Sequence, residues 1–187
     1  SYEYLVFKQE LKISKELRKE FQKDPKVKDD PTGRATLEAT SLMLAFRVNE
    51  DGTLVSEEGE LYTFLPTSIK TGFRFIVNAD FILTTNRNEL DKETSWNKWL
   101  LDELPNVLIS VVKWFKKQKN LTFYRCMPCK DEVIEELHKV VNSFYNLCRQ
   151  EYIVYTSSGE WVRPKDVIML SKDLQEIIPP TVFGYKY

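Results

Sequence analysis

The sequence predicts an α+β domain: a mixed sheet carrying packed helices, followed by a smaller helix-and-strand subdomain. Three observations carry this. Short apolar, β-branched and aromatic runs fill the first half of the chain. Apolar residues at helical spacing dominate Trp96 to Gln150, and short strand patterns return after Tyr152. The 187 residues, 42% hydrophobic and 13% aromatic, suffice for one sizeable core or two small ones packed together, and exclude a disordered chain. We place the division at about residue 120, with a core over 1–120 and a subdomain over 121–187.

Tyr2 to Leu11 reads as a strand, and Ser14 as the N-cap of a helix running to about Lys23 with Leu17 and Phe21 at i and i+4. Asp24-Pro25 to Gly33 reads as a charged, mobile loop, and Arg34 to Val48 as one long strand ended by the Asn49–Gly52 turn. Leu61 to Leu65 is a strand expected to stop at Pro66. Phe73 to Val77 and Phe81 to Leu83 are two more. Trp96 to Lys117 has a helical stripe with a kink or break expected near Pro105, and Asp131 to Gln150 has a second one. Strands at Tyr152–Tyr155 and Trp161–Arg163, an element at Val167–Leu170 and a helix over Ser171–Ile178 complete the chain.

A net charge of -1 and pI near 6.0 give no drive toward nucleic acid or anionic membrane. No apolar stretch reaches the roughly 20 residues a bilayer requires, and no signal peptide is visible. Three cysteines, an odd number, fit a reducing compartment, and a cytoplasmic location is expected. The opening Ser-Tyr-Glu-Tyr-Leu-Val-Phe, already a strand pattern, reads as a piece of something longer.

Cys126-Met-Pro-Cys129 has the spacing of a redox or metal motif at a helix start, but it lacks the flanking βαβ pattern and offers metal only two ligands. The sole histidine, His138, reads as a boundary side chain, and no Gly-rich phosphate loop exists. Lys113, Lys116, Lys117 and Lys119 read as a solvated helix C-terminus. Trp96, Trp99, Trp114 and Phe115 read as core before client surface, and Lys70 and Arg74 as ordinary turn charges before nucleotide contacts.

The most informative stretch is Thr84-Thr-Asn-Arg-Asn-Glu-Leu90, six polar residues after an apolar run. Its bland reading is a turn whose side chains cap backbone groups. Its sharper reading is an anion site at Arg87, whose planar fork suits phosphate, with Thr85, Asn86 and Asn88 as supports.

Leu61-Tyr-Thr-Phe-Leu-Pro-Thr, Lys70-Thr-Gly-Phe-Arg-Phe, Val77-Asn-Ala-Asp-Phe-Ile-Leu-Thr-Thr-Asn-Arg-Asn-Glu-Leu, Trp96-Asn-Lys-Trp-Leu-Leu and Ser158-Gly-Glu-Trp-Val-Arg-Pro-Lys-Asp-Val recur in an order that resembles the segment following the ATP-binding module of sacsin-type proteins, in the GHKL ATPase group. The resemblance spans most of 36–170. More distantly, Asn86-Arg-Asn-Glu-Leu90 is similar to the loop of the ninety-kilodalton heat-shock chaperone's middle domain, where an arginine reaches the γ-phosphate of ATP held by the N-terminal domain. The resemblance implies that Arg87 serves ATP and Mg2+ in trans, with the N-terminal ATP-binding domain and client proteins as partners. Where the chaperone has a glutamine one turn on, this chain has Asp91 and Lys92. The GHKL pocket's glutamate, asparagine and glycine-rich lid are missing, so this piece alone is not expected to hydrolyse ATP, whereas the parent is. A non-catalytic interaction or scaffold module is the alternative, and a CxxC redox or metal protein the third reading.

Overall fold

A computed structural model describes residues 3–167. The chain is α+β, as expected. Five strands, β1 (Glu3–Lys12), β2 (Ala39–Val48), β3 (Glu60–Thr63), β4 (Leu65–Lys70) and β5 (Ile76–Ala79), form a sheet in the order β1-β2-β5-β3-β4. All neighbours are antiparallel except β3 and β5, so the sheet is mixed. Alternate residues of β2, Leu42, Leu44 and Phe46, are buried on one face, as period-two patterning dictates. Helix α3 (Ser95–Lys117) packs on that face, with Phe46 edge-on to Phe115 at 5.4 Å. Helix α4 (His138–Cys148) packs against α3, and a two-stranded sheet, β6 (Val154–Tyr155) with β7 (Trp161–Val162), follows. Buried side chains run without a gap from Leu42 and Phe46 through Leu104 and Phe115 to Val141 and Phe144 of α4.

Ser14 caps α1 (Lys15–Phe21), accepting from the Leu17 N–H at 3.1 Å. The segment expected to be a mobile loop is ordered instead. Asp24 accepts from the Lys26 N–H, Pro25 takes the first turn of α2 (Pro25–Lys28), and Val27 is fully buried. The long strand expected from Arg34 begins only at Ala39. Gly33, with φ 73°, turns the chain, and Arg34 is drawn inward to Asp30 and Asp80 within a turn of 3-10 helix, Arg34–Thr36.

Pro66 does not end its strand. It lies inside β4, at the sheet's edge, where a missing ladder donor is tolerated. The strand expected at Phe73 to Val77 is shifted to Ile76–Ala79. Phe73 and Phe75 are buried through ring stacking at 4.8 Å rather than through a ladder. Phe81 to Leu83 is not a strand, since its only sheet contact is one bridge, Leu83 to Leu90.

Pro105 breaks nothing: α3 is continuous over 23 residues. An interior proline costs about 3 kcal/mol. Burial of Trp96, Leu100, Leu104, Leu108, Val111 and Phe115 outweighs that, at about 1.5–3 kcal/mol for each large apolar side chain. The second helix is shorter than its pattern, because Ile134 is extended and donates its N–H to the Thr71 carbonyl at 3.2 Å. There the backbone of Glu132 lies against Gly72, where a Cβ would sit 2.0 Å from the Glu132 oxygen. The elements expected beyond Val167 lie outside the described residues. Among those described, no helix is long and apolar enough to cross a membrane.

Candidate functional site

Arg87 sits at the tip of a loop joining the end of the sheet to α3. The Arg87 N–H donates to the Thr84 carbonyl (2.8 Å), the Thr84 N–H to the Glu89 carbonyl (2.9 Å), and the Asp91 N–H to the Ile82 carbonyl (3.0 Å). Asn86 organises the turn from within, its Oδ1 accepting from the Thr84 hydroxyl at 2.6 Å and the Asn88 N–H at 3.3 Å. The turn puts Arg87 at φ 59°, left-handed backbone that costs an L-residue about 1–2 kcal/mol. The side chain is exposed and makes no hydrogen bond or ion pair with any described residue. Thr85, Asn86 and Asn88 are exposed beside it and do not touch the guanidinium. Arg87 is thus placed by the turn, which the Asn86 side chain organises, and not by direct contact of its neighbours with the guanidinium.

The legs of the loop are fixed from below by a residue the sequence reading passed over. Asn97, 1% exposed in the first turn of α3, accepts from the Ile82 N–H (2.9 Å) and donates to the carbonyls of Ile82 (2.7 Å) and Asp91 (2.9 Å). Buried Thr94 caps α3 by accepting from the Asn97 N–H and donates its hydroxyl to the Asp91 carbonyl. An asparagine on an otherwise apolar helix stripe, three residues after a threonine cap, was the available signal.

A second tier holds that base. Trp96 Nε1 donates to the Asp80 carbonyl at 2.7 Å, and Arg34 Nε donates to the Asp80 carboxylate at 2.8 Å. The Asp24 carboxylate accepts from both the N–H and the hydroxyl of Ser95, at 2.7 and 2.8 Å. Burial works against the Asp24 charge, but the bonds from Ser95 and Lys26 outweigh it and hold the carboxyl below its ordinary 3.8. Lys26 reaches Asp91 at 2.6 Å, and Lys92 reaches Glu136 at 2.5 Å. Each cation at the loop's base, Lys26, Arg34 and Lys92, therefore meets a carboxylate, whereas Arg87 meets none among the described residues.

Other candidates are placed differently. Lys70 pairs with Glu58 at 3.0 Å and Arg74 with Glu132 at 2.6 Å, as turn charges do. Trp96 is fully buried and Phe115 nearly so; Trp114 is partly exposed over Phe7. Lys113 pairs with Glu151, and Lys116 lies over the Tyr152 and Trp161 rings.

Cys126 and Cys129 do not form a site. Cys126 is buried at the end of a 3-10 turn, no helix begins at Lys130, and all three cysteines are free. Burial pushes the Cys126 thiol up to about 11. Among the described residues no group of three His, Cys, Asp or Glu side chains could hold a metal. His138, half-buried, opens α4.

Two curated proteins match this chain. Protein NO VEIN of Arabidopsis thaliana is 34% identical over 154 residues, covering 79% of this chain. Sacsin of Homo sapiens is 24% identical over 151 residues, covering 73%. The chain is sacsin-related. It spans 5% of the length of Protein NO VEIN and 3% of that of sacsin. No protein-family profile and no solved structure matches it.

Proposed function

We propose that this chain is the middle region of a sacsin-like, ATP-dependent chaperone of the GHKL type. In this reading Arg87 is supplied to the γ-phosphate of ATP bound with Mg2+ on a separate N-terminal domain. One observation carries it: a guanidinium with no partner among the described residues, held out on strained backbone above a loop whose two legs are clamped by buried Asn97. A cation delivered to developing phosphoryl charge acts most strongly when it is placed in advance. Strain at an exposed arginine between two asparagines, either of which takes left-handed backbone more easily, supports a role for the side chain itself. Closing the two domains on ATP would then couple nucleotide state to client handling.

The experiment is steady-state ATPase of the full-length parent carrying Arg87→Ala, with nucleotide affinity measured alongside. The expected result is unchanged affinity and turnover slowed by roughly 10³-fold. Unchanged turnover removes the proposal.

A second reading, an interaction module without catalysis, is favoured by the β3–β4 hairpin tip. Phe64 and Leu65 are 69% and 66% exposed there, and Phe64 is held at φ 65°. Loss of partner assembly in a Phe64→Ser parent, together with indifference of ATP turnover to Arg87→Ala, would establish this reading instead.

A further inference from the structure

β1 ends the sheet, and among the described residues no strand pairs with its outer edge. The ladder tells which groups face out. The Ile13 N–H donates to the Glu38 carbonyl at 2.8 Å, continuing the register that sets Leu11 opposite Thr40 and Gln9 opposite Leu42. Main-chain direction alternates along an antiparallel strand, so Leu11, Gln9 and Phe7 bond inward to β2. Lys8, Glu10 and Lys12 therefore point their N–H and C=O outward. One contact agrees with this: the outward carbonyl of Glu10 accepts from its neighbour's side chain, Gln9 Nε2, at 3.1 Å.

That edge borders a groove of about 490 Å³ whose other wall is α3. Trp99, Glu103, Val107 and Ser110 share one helix face along the groove, a wall about 16 Å long. This length matches five residues of extended chain at about 3.3 Å each. Leu11, Trp99 and Val107 form the apolar part of a lining that is otherwise polar. Glu103 stands on the wall, half-buried and without a cationic partner among the described residues.

We infer that this groove binds an extended segment of a partner polypeptide as a sixth strand beside Lys8–Lys12. Its main chain takes the outward groups of Lys8, Glu10 and Lys12. Alternate side chains face the helix, with apolar ones on Trp99 and Val107 and a basic one on Glu103. A second copy of this chain fits less well. Pairing through its own β1 would bring Leu5, Phe7, Gln9 and Leu11 to that side, leaving Glu103 unpaired. Edge strands are closed to partners by bulges, prolines or charges. β1 has no bulge or proline and pairs regularly with β2 over ten residues, and its charged Lys8, Glu10 and Lys12 side chains lie on the sheet face away from α3. The site stands apart from the arginine loop and needs neither ATP nor the reading given to Arg87.

The test is an NMR titration of the isotope-labelled chain with the peptide Thr-Val-Thr-Arg-Thr-Val-Thr, whose valines and arginine share one face. The expected shifts fall on the amides of Lys8, Glu10 and Lys12, which should exchange rapidly before binding. Main-chain N-methylation of the peptide should weaken binding at least tenfold. Glu10→Pro should do the same, because it removes only an outward donor and leaves the β2 ladder whole. If Glu10→Pro fails to fold, Asn106→Trp, an exposed position on the groove wall, should obstruct binding by itself. Glu103→Gln should weaken the arginine peptide several-fold and leave its glutamine counterpart unchanged. Equal binding of the N-methylated peptide, slow exchange at those amides in the free chain, or a β1-mediated dimer seen by sedimentation would each overturn the assignment.

Discussion

Asn97 holds both main-chain groups of Ile82, accepting from its N–H at 2.9 Å and donating to its carbonyl at 2.7 Å. One side chain thereby supplements the single bridge that Leu83 makes with Leu90, and its remaining donor reaches Asp91 on the other leg.

Asn97→Ala should therefore destabilise the domain by about 2 kcal/mol, since it leaves the Ile82 N–H without a partner and takes one of two accepted bonds from each of the Ile82 and Asp91 carbonyls. Urea denaturation measures the loss. Amide exchange at Ile82 and Asp91 should accelerate more than exchange in β2. Uniform acceleration would show that Asn97 supports the whole fold equally and does not clamp the loop.

Arg87→Gly should do the opposite. Glycine adopts φ 59° without penalty, and with no side-chain bond to lose the variant should be about 1 kcal/mol more stable. A rise in thermal midpoint accompanied by slower ATP turnover in the parent would be the signature of a residue retained at the expense of stability. A fall in midpoint would mean the guanidinium serves the fold.

Asp24 sets an acid limit. Its folded carboxyl titrates below the ordinary 3.8, so the unfolded chain binds the proton more readily. Stability from this group is complete above the unfolded value and is lost as pH falls through the lower folded one. Glu136, held below its ordinary 4.5 first by the bond from Lys92, adds in the same direction. The denaturation midpoint should fall below about pH 4, and Asp24→Asn should flatten that fall while lowering stability at neutral pH.

The cysteines should separate cleanly with a thiol reagent. Exposed Cys129 should react at once in the native chain. Cys126 and Cys148, buried and pushed up to about 11 and about 12, should react only on unfolding. Fast reaction of Cys126 would reopen the redox reading.

Much of this protein was legible along the chain because its signals are local. Ser14 caps α1, period-two burial marks β2, and the helical stripe from Trp96 to Phe115 needs only its own spacing. Arg87 stood out because six polar residues follow an apolar run. What the sequence could not show is set by partners distant in number. Pro105 passes unbroken because α3 is buried against the sheet, and Pro66 stays in a strand because β4 is an edge. Residues 24–34 are ordered because Asp24 meets Ser95 and Arg34 meets Asp80. The sequence by itself determined the class of elements and the exposed arginine, since propensity and periodicity act within a few residues. Only the tertiary structure decided how that arginine is mounted and which strands end the sheet among the described residues, because both depend on hydrogen bonds between segments that meet only when the core closes.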